Sequence, residues 1–124
     1  MTGDVLVAED NPTNRFVICA MLKSMGISPI VAEDGAAAVA TARETPLRLI
    51  LMDINMPKLN GMDAARALAR DPATASIPIV AVTATATDHQ RRTCEAAGFV
   101  GFVPKPVDIA VLHAAVRPFL CEGP

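Results

Sequence analysis

The feature that most constrains the fold is a strict alternation of short apolar runs with amphipathic segments along the 124 residues of the chain. The apolar runs have the length of β-strands, and we predict strands at residues 5–8, 29–32, 47–52, 77–82 and 99–103. The segments that follow them are predicted to be helical, over residues 12–25, 36–44, 62–70, 87–98 and 107–120. Strands and helices in this alternation predict a parallel sheet with helices packed on both faces.

Capping residues mark the starts of several predicted helices. Asn11 followed by Pro12 is typical of a helix N-terminus and predicts the start of the first helix. Thr87 or Asp88 is predicted to cap the fourth helix, and Asp108 the fifth.

These signals predict a single α/β domain over residues 1–124, because neither an internal repeat nor a linker interrupts the alternation. The predicted architecture is a doubly wound (βα)5 three-layer sandwich of the flavodoxin-like kind. Its five-stranded parallel sheet has the order 2-1-3-4-5, which places the point where the strand order reverses between strands 1 and 3.

The composition argues against several classes of protein. The net charge of −2 does not fit a nucleic-acid-binding module, which carries a basic patch or stripe. No apolar stretch approaches the roughly 18 residues of a membrane span, and the N-terminal residues lack the pattern of a signal peptide. Cys19, Cys94 and Cys121 are widely spaced and form no C-x-x-C pair, so we expect reduced thiols and a cytoplasmic location.

Chemically active side chains stand where four of the predicted strands end. They are Glu9 and Asp10 after strand 1, Asp53 after strand 3, Thr83 after strand 4 and Lys105 after strand 5. Ligands of a doubly wound sheet bind outside these carboxyl ends, at the reversal point. Three carboxylates meeting there would repel one another unless a proton or a cation intervenes, and a hard divalent ion such as Mg²⁺ would satisfy them.

Glu33 and Asp34 give a useful contrast at the end of strand 2. They are also acidic, but strand 2 is predicted to lie at the edge of the sheet, away from the reversal point. We therefore predict that they are loop and helix-start residues and not metal ligands.

Four motifs at the strand ends together resemble the receiver domain of two-component response regulators, over essentially the whole chain. They are Glu9-Asp10, the stretch Asp53-Ile-Asn-Met-Pro-Lys-Leu-Asn-Gly61, Thr83-Ala84 and Lys105-Pro106. Glu9-Asp10-Asn11 followed by Asn14-Arg15 is most similar to the receivers of hybrid histidine kinases. The sequence fits equally a stand-alone regulator and a domain of a larger hybrid kinase.

The resemblance implies a Mg²⁺-dependent transfer of a phosphoryl group to Asp53 from the phosphohistidine of a histidine kinase or of a histidine phosphotransfer domain. It implies that Glu9, Asp10 and Asp53 hold the metal ion through side-chain oxygens and Asn55 through its backbone carbonyl, with Mn²⁺ able to substitute for Mg²⁺. The Lys105 ammonium would neutralise charge on the phosphoryl oxygens.

The resemblance also implies a switch built from Thr83 and Phe102. Thr83 would donate its hydroxyl to the phosphoryl group, and Phe102 would fill the space that Thr83 leaves. The peptide bond between Lys105 and Pro106 is expected to be cis. The face that changes would be formed by helix 4, strand 5 and helix 5, which we expect to bind an unknown downstream partner or to form a weak dimer. We expect no direct contact with nucleic acid or membrane.

Two other functions are considered. An aspartyl-phosphate phosphohydrolase of the haloacid dehalogenase kind also uses an Asp at a strand end, but it usually needs a second Asp two residues later, where this chain has Asn55. A pseudo-receiver that binds partners without phosphorylation is disfavoured because every key residue is present. We therefore predict a signalling domain and not an enzyme, with at most self-catalysed phosphotransfer and loss of its own phosphate.

Overall fold

The structure is a computed structural model that describes residues 2–54, 61–84 and 87–120. Over these residues the chain forms a parallel sheet whose strands alternate with helices. The strands are β1 (Thr2–Ala8), β2 (Ser28–Ala32), β3 (Leu49–Asp53), β4 (Ile79–Thr83) and β5 (Gly101–Pro104). The helices are α1 (Pro12–Ser24), α2 (Gly35–Glu44), α3 (Gly61–Arg70), α4 (Asp88–Ala97) and α5 (Ile109–Leu120).

The strand order in the sheet is β2-β1-β3-β4-β5, and every neighbouring pair is parallel. This confirms the predicted flavodoxin-like fold and its order. The register pairs Ala8 of β1 with Met52 of β3, and Asp53 of β3 with Val82 of β4. The carboxyl ends of these strands therefore lie side by side, with the reversal of strand order between β1 and β3.

The core consists of two apolar layers, one on each face of the sheet. Because successive side chains of a strand point to opposite faces, Leu6 of β1 enters one layer and Val7 the other. The first layer packs against α2, α3 and α4, through residues such as Ala38 and Leu68. The second packs against α1 and α5, through residues such as Leu22. Burial on both faces explains why the central strands are continuous apolar runs.

The predicted helix caps are present. The Asn11 side chain accepts hydrogen bonds from the first turn of α1, with Pro12 as the first helical residue. Thr87, one of the two alternatives, caps α4 by accepting from the Gln90 amide at 3.1 Å. Asp108 accepts from the first amides of α5, at 2.8 and 3.3 Å. No helix in the described part of the chain is long and apolar enough to cross a membrane.

Several strands begin later than the apolar runs predict. The run at 77–82 becomes a strand only at Ile79, because the Ile77 amide closes a turn on the Thr74 carbonyl at 3.0 Å. The run at 99–103 becomes a strand only at Gly101, because the Phe99 amide donates to the Cys94 carbonyl and completes the end of α4. β3 begins at Leu49 and extends one residue further than predicted, to Asp53.

Gly61 brings the start of α3 against the end of β3. Its amide donates to the Ile54 carbonyl at 2.9 Å, and a Cβ atom at this position would overlap the backbone carbonyl oxygen of Asp53. Helix α3 accordingly begins at Gly61, one residue before the predicted start. A residue without a side chain is needed here because the backbone of α3 contacts the backbone at the end of β3, at Asp53 and Ile54.

We expect Gly61→Ala to lower the free energy of unfolding by about 1–3 kcal/mol, the usual cost of an added methyl group in a well-packed site. Urea denaturation measures this change. Gly26→Ala is a matched control, because a Cβ there meets nothing within 4 Å and only its φ of +83° is unfavourable, at about 1–2 kcal/mol. A Gly61→Ala protein as stable as the wild type would contradict the close approach.

Candidate functional site

The polar residues that the fold buries are concentrated at one edge of the sheet. Among the residues whose side chains the structure describes, the buried polar or charged ones are Glu9, Asp53, Thr74 and Thr83. Three of them stand at the carboxyl ends of adjacent strands, with exposed fractions of 1% for Glu9, 3% for Asp53 and 1% for Thr83. Burying polar groups is costly unless they are paired, so this edge is a functional candidate.

An acidic cluster lies at the reversal point of the sheet. Carboxylate oxygens of Glu9, Asp10 and Asp53 lie within 4.8 Å of one another. Asp10 is exposed, so the cluster opens to solvent on one side. The Oε1 atom of Glu9 is buried and has no hydrogen bond from the described residues. Three carboxylates that converge in this way fit a hard divalent cation such as Mg²⁺.

Lys105 joins two of the carboxylates. Its Nζ atom lies 3.1 Å from Glu9 Oε1 and 3.2 Å from Asp53 Oδ2, and its side chain is 19% exposed. The Glu9 contact is an ion pair without the alignment of a hydrogen bond. The Lys105 amide donates to the Thr83 carbonyl at 2.9 Å, which fixes the end of β5 beside β4. The peptide bond from Lys105 to Pro106 is cis, as expected.

The electrostatics of the cluster favour a proton on Glu9. Burial raises the pKa of Glu9 to about 7, and the carboxylate of Asp53 adds to the rise, while Lys105 and the Asn11 amide oppose it. Burial alone would lower the pKa of Lys105, but its contacts with Glu9 and Asp53 outweigh burial and hold its pKa above the usual value. Lys105 is therefore an ammonium at neutral pH.

The backbone and side chain of Glu9 are held from several directions. Its amide donates to the Ala32 carbonyl of β2 at 3.0 Å, and its Oε2 atom accepts from the Asn11 amide at 3.2 Å. Its carbonyl accepts from Arg15 Nη1 at 3.0 Å. Sequence reasoning noted Arg15 only as part of a motif and missed this contact.

Thr83 and Phe102 lie on the neighbouring strands β4 and β5. Thr83 ends β4 and is aligned with Pro104 of β5. Phe102 is half-buried and packs against the apolar layer of α2, α3 and α4. The guanidinium carbon of Arg91 lies 5.3 Å from the centre of the Phe102 ring, a cation–π contact from α4. The predicted ligand Asn55 lies outside the described residues.

Glu33 and Asp34 are not among the three carboxylates of the cluster. Asp34 is the N-cap of α2 and accepts from the Ala37 amide at 2.7 Å. Glu33 is exposed and forms an ion pair with Arg15 Nη2 at 3.7 Å. Cys19 and Cys94 are free thiols, and Cys121 lies outside the described residues.

The fold and the site define a flavodoxin-like domain with an acidic, lysine-bridged site at its reversal point. The family model of the response regulator receiver domain matches residues 5–117. The chain therefore belongs to the family of response regulator receiver domains, which act in two-component and phosphorelay signalling.

Similar proteins include both stand-alone and kinase-linked receivers. Protein PilH of Pseudomonas aeruginosa is 34% identical over 116 residues, which cover 94% of this chain and 96% of PilH. The signal transduction histidine-protein kinase BarA of Escherichia coli is 35% identical over 109 residues, which cover 88% of this chain and only 12% of BarA.

Two solved structures resemble the chain over nearly all of its length. The receiver domain of sensor histidine kinase PA1611 from Pseudomonas aeruginosa, with a magnesium ion in its active-site cleft, has a TM-score of 0.88 and 34% identity, covering 96% of this chain and 98% of that one. The receiver domain of Ssk1 from Saccharomyces cerevisiae, in complex with the histidine phosphotransfer protein Ypd1, has a TM-score of 0.81 and 28% identity, covering 94% and 88%.

The raised pKa of Glu9 predicts how stability depends on pH without metal. Between pH 4.5, where Glu9 titrates in the unfolded chain, and about 7, the folded protein binds the extra proton. Stability therefore falls as pH rises through this range, and the loss due to Glu9 is on the order of 2–3 kcal/mol. Urea unfolding in EDTA at several pH values measures it.

Glu9→Gln removes the titrating group and is expected to flatten this part of the profile. Glu33→Gln, at an exposed carboxylate, is the matched control and should keep the wild-type slope. An unchanged slope in Glu9→Gln would show that the proton is not held on Glu9.

Proposed function

We propose that Asp53 accepts a phosphoryl group from the phosphohistidine of a histidine kinase or histidine phosphotransfer domain. The observation that carries this proposal is the environment of Asp53: a buried carboxylate with an ammonium at 3.2 Å and two further carboxylates within 4.8 Å. The Ssk1 receiver, structurally similar to this chain, forms a complex with a phosphotransfer protein, which supports a partner of this kind.

In this reaction a carboxylate oxygen of Asp53 forms a bond to phosphorus as the bond from phosphorus to the imidazole nitrogen breaks. The imidazole leaves as a neutral ring when its other nitrogen already carries a proton, and otherwise it takes a proton from water. Asp53 becomes an acyl phosphate. Lys105 lies against the reacting carboxylate and can pair with the negative charge that the phosphoryl oxygens bring. Thr83 can donate its hydroxyl to one of these oxygens.

Glu9, Asp10 and Asp53 would hold a divalent cation, together with the backbone carbonyl of Asn55. A bound Mg²⁺ would supply charge neutralisation of the phosphoryl oxygens and orient them toward Asp53. Mn²⁺ takes the same oxygen ligands and can substitute. The magnesium ion in the similar PA1611 receiver supports this assignment.

We extend the proposal to a switch between the site and the face formed by α4, β5 and α5. Thr83 would move toward the phosphoryl group, and Phe102 would turn into the space behind it. In the structure Arg91 covers the Phe102 ring from α4, and the ring packs against the core. The same face would then bind a downstream partner or a second copy of the chain.

We further propose the extent of the domain, its cellular location and the limits of its activity. Residues 1–124 are taken as one receiver domain, which the continuity of the sheet from β1 to β5 supports. A cytoplasmic location fits the free thiols of Cys19 and Cys94. Catalysis is limited to the domain's own phosphorylation and dephosphorylation, with no direct binding of nucleic acid or membrane.

Asp53→Asn is expected to abolish phosphorylation by a small phosphoryl donor such as acetyl phosphate in the presence of Mg²⁺, because the amide is a poor nucleophile. Intact-mass spectrometry measures the gain of one phosphoryl group. Asp63→Asn is the matched control, since Asp63 is an exposed carboxylate on α3 and should leave labelling unchanged.

Labelling of Asp53→Asn at the wild-type level would reject Asp53 as the acceptor. Repeated turnover of phosphate monoesters by the wild-type protein would instead favour the phosphohydrolase, whereas a wild-type chain that takes up no phosphoryl group would favour the pseudo-receiver.

The proposed switch predicts that Mg²⁺ with beryllofluoride, a phosphoryl mimic, shifts the NMR signals of Thr83 and Phe102. Arg91→Met removes the cation from the ring and should move the Phe102 signals of the free protein part of the way toward the beryllofluoride positions. A cation–π contact of about 0.5–1 kcal/mol corresponds to a two- to fivefold change in the ratio of the two states. Arg92→Met, at the neighbouring exposed arginine, is the control. If the Phe102 signals have the same positions in the two variants, a role of Arg91 in the switch is excluded.

A further inference from the structure

Arg15 links the ends of two strands next to the acidic cluster. It lies at the end of the first turn of α1, and its side chain is only 20% exposed. Nη1 donates to the carbonyl of Glu9 at 3.0 Å, and Nη2 lies 3.7 Å from Oε1 of Glu33. The planar guanidinium offers donors in fixed directions, so one side chain can make both contacts.

The carbonyl that Arg15 holds belongs to the peptide unit between Glu9 and Asp10. A peptide unit is planar, so fixing its oxygen constrains the orientation of the backbone on both sides. On the other side of Glu9, its amide is fixed by the hydrogen bond to the Ala32 carbonyl. Arg15 therefore restrains the backbone from which the first two carboxylates of the cluster project.

We propose that Arg15 is a positioning residue for the divalent-cation site: its hydrogen bond to the Glu9 carbonyl sets the two adjacent carboxylates, Glu9 and Asp10, in the arrangement that binds the ion. This inference rests on the metal site proposed above. Groups that orient metal ligands without touching the metal typically change its affinity by about 10–100-fold when removed.

The direction in which the Mg²⁺ affinity changes when Arg15 is removed distinguishes a positioning role from a purely electrostatic one. A guanidinium close to a cation site repels the cation, so a role as charge alone predicts that removing Arg15 strengthens Mg²⁺ binding. Positioning predicts the opposite result, because the Glu9–Asp10 peptide unit loses its restraint and the carboxylates must be ordered when the ion binds.

The experiment titrates Mg²⁺ into the full chain and follows backbone amide NMR signals near the site, for the wild type and three variants. Arg15→Met keeps the length and helix propensity of the side chain but removes its charge and donors, and we expect a Kd about tenfold higher. Arg15→Lys keeps the charge and one donor group, and we expect it to recover part of the affinity.

Glu33→Gln is the matched control, because it breaks the outer ion pair and leaves the donation from Arg15 to Glu9 in place. We expect its Kd to stay within about twofold of the wild type, the range of a surface ion pair. Urea unfolding of each variant in EDTA measures the stability of the metal-free fold. A role of Arg15 in positioning the ligands alone does not require this stability to change.

An Arg15→Met protein that binds Mg²⁺ as tightly as the wild type, or more tightly, would overturn the inference. If Arg15→Met does not fold, Arg15→Lys decides, and wild-type or tighter binding by that variant would overturn it. A wild-type chain that shows no response to Mg²⁺ would reject the proposed metal site itself, and the positioning role with it. The two failures can be told apart, because the wild-type chain still binds Mg²⁺ if only the positioning role of Arg15 is wrong.

Discussion

The contact of one lysine with two buried carboxylates is the interaction on which the site depends. Glu9 and Asp53 end neighbouring strands, and the parallel register leaves their side chains close together. Without a compensating charge, their mutual repulsion would oppose the packing of β1 against β3. Lys105, carried by the end of β5, supplies this charge at 3.1 and 3.2 Å. The strand ends therefore hold a charge balance that the proposed cation and phosphoryl group would replace.

The fold could be predicted from the sequence because its signals are local and repeated. Apolar runs of strand length, separated by capped helices, specify alternating elements, and the handedness and connection rules for parallel strands leave few topologies. The convergence of Asp53, Thr83 and Lys105 followed from that topology alone, since parallel strands bring their carboxyl ends to one edge. Strand boundaries were less accurate, because an apolar residue such as Phe99 serves equally well in a helix C-terminus and in a strand.

Other parts of the site depend on three-dimensional relations that no local pattern contains. The donation from Arg15 to the Glu9 carbonyl requires a particular placement of α1 against the end of β1, and many arginines in the first turns of helices face solvent instead. The raised pKa of Glu9 depends on how completely the neighbouring strands bury it. The stacking of Arg91 on Phe102 likewise depends on how α4 packs beside β5.

The raised pKa of Glu9 has a consequence for metal binding at the proposed site. A carboxylic acid gives up its proton when it becomes a metal ligand, so a divalent ion bound at Glu9 below about pH 7 would displace a proton. Metal and proton would therefore compete for the same oxygen atoms. The magnesium concentration needed to half-fill the site would then fall as the solution becomes more alkaline, and level off once Glu9 is ionised in the free protein.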